Sequence, residues 1–124
     1  MVSDKAMKSV LWFGCVYDVA LGAAFALFGP WIFELVKVTE PNHWGYVQLL
    51  GGFVFVLGIM QGRAASGNII RDLVWLSLAM KLVFACVVFY NLAFASIPLV
   101  WVWFAVVDAL FAAIYFGWLA YRKA

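Results

Sequence analysis

Residues 98–121 read PLVWVWFAVVDALFAAIYFGWLAY, a run in which Asp108 is the sole charged side chain. A soluble helix of that length keeps a polar face for water, and this one has none. At 1.5 Å of rise per residue the run is about 36 Å long, enough to cross a hydrocarbon core of about 30 Å. It reads as a membrane-spanning helix.

Residues 9–28, 44–62 and 69–90 repeat the pattern. Local punctuation sets the expected ends. Gly29-Pro30 should stop the first span, because glycine accepts a left-handed cap and proline cannot continue a helix. Asn42 is a suitable N-cap for the second, Asn68 for the third after a Ser66-Gly67 turn, and Ser96 with Pro98 for the fourth. No span alternates with the two-residue period of a barrel strand. In lipid the helix remains, since it satisfies every backbone group internally. The expected fold class is an all-α membrane protein, an antiparallel bundle of four transmembrane helices in a single domain over residues 1–124. Residues 30–43 set Trp31, Phe33 and Leu35 among Glu34, Lys37 and Glu40. They read equally as a short interfacial helix between spans one and two or as a loop packed on the bundle.

Composition agrees with a bilayer as solvent. Of the 124 residues 69% are hydrophobic and 11% charged, against about 45–50% and 25% in a globular domain. Four spans leave no room for a soluble catalytic module. No basic cluster interleaves with exposed aromatics, so no nucleic-acid partner is expected. Cys15 and Cys86 stand alone in apolar runs, and His43 is the single histidine. No metal-ligand spacing results, and no catalytic residue, metal or cofactor is expected. The first run carries Asp18 at its middle and lacks a cleavage site, so it reads as a retained span.

Charge placement predicts orientation. Lys5, Lys8, Arg63, Arg71, Arg122 and Lys123 fall on one side and Lys37 alone on the other, which puts both termini in the cytoplasm. A reporter fused at Gly67 would then read from the cytoplasm and one near Glu40 from the opposite side.

Three ionisable residues stand inside the spans. Asp18 is about ten residues, or roughly 15 Å, into span one. Lys81 lies the same distance beyond Arg71, and Asp108 the same distance after Pro98. All three therefore reach the bilayer midplane, where an unpaired charge costs about 2.5–3.5 kcal/mol. Two carboxylates and one ammonium offset part of this by pairing and leave one surplus negative charge, a surplus that points to a proton on one of the aspartates. The helix faces are consistent with inward placement. Asp18 shares a face with Gly14, Cys15 and Gly22; Lys81 with Ser77 and Ala85; Asp108 with Ala105 and Ala112. On span two, Gln48 heads a face with Gly51, Gly52 and Phe55, and Gly58-x-x-x-Gly62 adds a close-approach motif. The expected buried polar cluster is Asp18, Lys81, Asp108 and Gln48. The expected packing glycines are Gly14, Gly22, Gly51, Gly52, Gly58 and Gly62. Such a cluster serves either as a proton or ligand site or as an ion pair that sets helix register.

Tyr17-Asp18 with Leu21-Gly22, the run from Pro41 to Gln48, Arg71-Asp72-Leu73-Val74, Lys81-Leu82 and Phe104-Ala105-Val106-Val107-Asp108 carry a resemblance. Together they resemble a group of small uncharacterised bacterial four-helix membrane proteins, and in layout the chain is loosely similar to the DoxX-like group. The resemblance covers nearly the whole chain after its N-terminal segment. It implies a four-span bundle in a bacterial inner membrane and brings no activity with it. Ala79-Met80 before Lys81 and the short loop at 91–97 depart from the pattern.

The leading expectation is a non-enzymatic accessory subunit or homo-oligomer, whose partners are lipids and other membrane subunits or copies of itself. The alternative is a small proton-coupled transporter or hydrophobic-ligand-binding unit using the Asp/Lys/Asp cluster.

Overall fold

The computed structural model describes residues 2–121; Arg122 and Lys123, which enter the orientation argument, lie outside the described residues. Four helices account for nearly all of it: α1 Asp4–Leu35, α2 Trp44–Ala65, α3 Arg71–Phe94 and α4 Leu99–Tyr121. Each is long and apolar enough to cross a membrane, and the described residues include no strand. The chain is a small multi-pass integral membrane protein. Its outward surface is apolar, with Leu27, Phe94 and Trp103 all at least 70% exposed, as helices solvated by lipid should be.

The bundle is two tight antiparallel hairpins, α1 with α2 and α3 with α4. Lipid is as apolar as leucine, so membrane helices associate by close packing and hydrogen bonds rather than by water release. Between α1 and α2, glycine makes that approach possible. A Cβ on Gly51 would stand 2.7 Å from the Ala26 amide nitrogen and 2.8 Å from the Gly22 carbonyl oxygen. One on Gly58 would stand 2.6 Å from the Val19 amide nitrogen. Gly14, Gly22 and Gly62 are likewise in tight contact, so five of the six expected packing glycines lie in this seam. Gly52 does not. It sits one residue, about 100° of helix, past Gly51, with nothing within 4 Å of its added Cβ.

At three helix boundaries the expected stop or cap residue does not serve. Gly29-Pro30 bends α1 without ending it. Phe28 leaves helical geometry (φ −128°, ψ 25°) and the helix then resumes through Pro30 to Leu35. The proline ring displaces the carbonyl four residues back, which kinks the axis. Residues 29–35 are thereby turned onto the bundle as a continuation of α1, where Phe33 is buried against Phe25, Trp44 and Trp101. The left-handed residue after α1 is Lys37 (φ 58°), so no glycine advertises this end. At α2 the cap is His43, whose Nδ1 accepts from the Gly45 amide at 2.9 Å, rather than Asn42. α3 starts after Ile70 with no side-chain cap, so Asn68 does not serve. Around Pro98 the expectation is close: α4 begins one residue later, and the Pro98 carbonyl accepts from the Trp101 amide at 3.1 Å.

The two ends of the bundle are unlike. At the end holding the start of α1, the close of α2, the start of α3 and the close of α4, an apolar core fills the centre. Met7, Leu11, Ala64, Val74 and Tyr115 are fully buried there. Trp118 donates its indole N–H to Asp4 at 3.0 Å, and Arg71 donates to the Leu119 carbonyl at 2.8 Å while lying over the Trp118 ring. Toward the other end the hairpins diverge and enclose a cavity.

Candidate functional site

The polar residues at the bundle centre form one connected network, and every helix contributes. Lys81 on α3 is 0% exposed, and an ammonium in that position must place its three N–H groups. One goes to Asp18 Oδ2 on α1 at 2.9 Å and another to Asp108 Oδ1 on α4 at 3.0 Å. On the remaining side the Nζ stands 4.6 Å from the centre of the Phe111 ring, within cation–π range. Gln61 on α2 donates to Asp18 Oδ2 at 2.6 Å and to the Leu57 carbonyl at 3.2 Å. Its Oε1 accepts a short hydrogen bond from the Tyr115 hydroxyl. The order Tyr115–Gln61–Asp18–Lys81–Asp108 thus runs from the closed core to the cavity.

The structure joins Asp18, Lys81 and Asp108 as the sequence led one to expect. It corrects the amide. Gln48 is exposed on α2 and takes no part, and Gln61 occupies the place assigned to it. The glycine seam explains why. Gly51 meets Gly22 and Ala26, while Gln61 reaches Gly14, so the antiparallel register puts Asp18 opposite the second half of α2. Gln48 lies beyond Gly51, on the far side of that register. Gln61 sits three residues past Gly58 and beside Gly62, a position on the buried face that was open to inspection. Tyr115, seven residues and two turns after Asp108, carried a similar signal.

The polar cluster floors a cavity of about 670 Å³ between the hairpins. Side chains from all four helices line it, and they are apolar apart from Tyr17 and the edges of Asp18 and Asp108. Its exposed rim residues Leu50, Phe53, Val83 and Val87 belong to α2 and α3. The opening therefore lies between those helices and faces sideways into lipid. At the far end Phe25, Phe33, Trp101 and Phe104 pack edge to face and tilted, with centroids 5.5–6.3 Å apart, and wall the cavity off.

The three charged groups meet the cavity unequally. The Lys81 side chain is 0% exposed, that of Asp18 3%, and that of Asp108 12%. Asp108 is the charged group that faces the space. Tyr17 shares this floor, and its hydroxyl is buried without a hydrogen-bond partner. Among the described residues no group of histidines, cysteines or carboxylates could hold a metal ion. The arrangement offers a hydrogen-bond acceptor and a hydroxyl at the bottom of an oily, laterally open slot.

Compared with known proteins, the chain matches no family model, no curated protein and no solved structure.

Proposed function

We propose that the protein is a non-enzymatic binding unit that takes a hydrophobic molecule from the bilayer and holds its polar end at the Asp18–Lys81–Asp108 cluster. The observation that carries this is the cavity: apolar walls, a side opening, and a floor of ionisable side chains at one end. Ligand pockets are concave, mostly apolar and furnished with a few convergent polar groups. A cluster needed only to pin helix register would be expected inside packed protein rather than at the bottom of a void.

The accessory-subunit reading gains no observation of its own, since exposed Leu27 or Phe94 is what any lone span shows to lipid. Proton-coupled transport is less favoured. Below Tyr115 the network meets the apolar plug of Met7, Leu11 and Leu78, so among the described residues no hydrogen-bonded path continues to that end.

The test is chemical extraction. Protein purified in mild detergent from its native membrane should yield, on solvent extraction and mass spectrometry, one hydrophobic species near a 1:1 ratio. Val54→Trp, which fills the cavity from α2, should yield none of it. Bulk lipids in bulk proportions, identical in the two preparations, would defeat the proposal.

A further inference from the structure

The charge arithmetic of the cavity floor restricts the ligand further. Two carboxylates face one ammonium, and no other charged side chain lines the space among the described residues. From α1 come Asp18 and the neutral Tyr17, from α2 the neutral amide of Gln61, from α3 Lys81, and from α4 Asp108 and the neutral Tyr115. With all three ionised the cluster carries one uncompensated negative charge in apolar surroundings. Lys81 cannot cancel it, because its Nζ is already shared between both carboxylates and shut away beneath them.

From this floor we infer that the natural ligand is a lipophilic cation, an apolar body bearing a single positive head. The proposal rests on the cavity reading above and adds the sign of the charge. Asp108 is placed to meet such a head. Lys81 holds its Oδ1, no hydrogen bond engages Oδ2, and its edge faces the slot. Tyr17, whose hydroxyl has no hydrogen-bond partner among the described residues, lines the same cavity. Aromatic rings furnish the walls, and rings attract a desolvated cation through their quadrupole. An anionic head such as a fatty-acid carboxylate would be pressed against two aspartates at low dielectric, where like charges repel strongly. With a neutral head the surplus could be removed only by a proton on one carboxylate, and the ligand would add no charge contact of its own.

The test uses three bulky aryl probes of similar shape: tetraphenylphosphonium (a cation), tetraphenylborate (an anion) and tetraphenylmethane (neutral). Binding is read by equilibrium dialysis against the protein in lipid nanodiscs, with empty nanodiscs subtracted. The cation should bind at least about tenfold more tightly than the neutral probe, the effect of one added buried charge contact. The anion should show no saturable binding. Asp108→Asn leaves a balanced Lys81–Asp18 pair and should remove the cation's advantage over the neutral probe.

Equal affinity for the neutral and cationic probes, or a preference for the anion, would overturn the inference and leave the cavity reading standing. A cation advantage that survives in folded Asp108→Asn would overturn it too. Failure of all three probes to bind the unmodified protein would overturn this inference and the cavity reading together. The comparison among probes needs only the unmodified protein, so an unstable variant does not protect the claim.

Discussion

The two halves of this bundle use one set of helices in opposite ways. In the closed half Met7, Leu11, Ala64, Val74, Tyr115 and Trp118 from all four helices meet with little residual exposure. In the hollow half the same helices present residues of similar chemistry, among them Val54, Phe84 and Phe104, to a void of about 670 Å³. Hydrophobicity cannot explain the difference, because both halves are apolar inside and out. What differs is the connection across the hairpins. Below the cluster, Asp4–Trp118 joins α1 to α4, and Gln61, held to Asp18 in its own hairpin, crosses to Tyr115 in the other. Above it, ring contacts of Phe25 and Phe33 with Trp101, and of Phe25 with Phe104, join α1 to α4 across the far end of the cavity. The charge cluster marks the boundary, and among the described residues it is the last hydrogen-bonded tie between the hairpins before the cavity.

If that is right, cutting the tie should have the largest effect. Asp18→Asn with Asp108→Asn leaves Lys81 buried with no anion, and should cost about 3–5 kcal/mol of stability, the loss seen when one side of a buried pair is removed. Either single change leaves one carboxylate and should cost distinctly less. Thermal unfolding in detergent ranks the three. A double variant no less stable than the singles would mean that the cluster does not join the hairpins.

A smaller effect separates the halves directly. Leu11→Ala in the closed half should cost about 1–2 kcal/mol. That is below the 2–5 of a soluble core, because lipid is as apolar as leucine and only the lost packing counts. Val54→Ala in the hollow half borders space that is already empty, and should cost less than about 0.5 kcal/mol. Equal costs at the two sites in the same unfolding assay would show that the hollow half is packed.

Much of this was legible in the chain, and the errors have physical causes. Four long apolar runs left the helix as the only structure lipid permits, and the depths of Asp18, Lys81 and Asp108 followed from counting residues. Their convergence was readable because stranding any one is costly, so partners had to exist. Gln48 enters the expected cluster in error because span length says nothing about register; that is set by where Gly22, Gly51 and Gly58 let two backbones touch. The bend at Phe28 was misjudged because Gly29-Pro30 fits both a stop and a kink, and only the burial of Phe33 decides between them. The cavity had no signature in sequence at all. Side chains that line a void, face lipid or fill a core are the same residue types here, and only the divergence of the hairpins tells them apart.

The most direct test of the central claim is therefore to ask what touches the inner wall of the hollow half. A small apolar diazirine equilibrated with the protein in nanodiscs and then photolysed labels whatever side chains it reaches, and mass spectrometry of the digested protein locates the adducts. The account predicts insertion at Phe84 and Phe104 as well as at outward residues such as Leu27 and Phe94, with the first two lost in Val54→Trp and the last two unchanged. Label confined to the outward residues of the unmodified protein would contradict it.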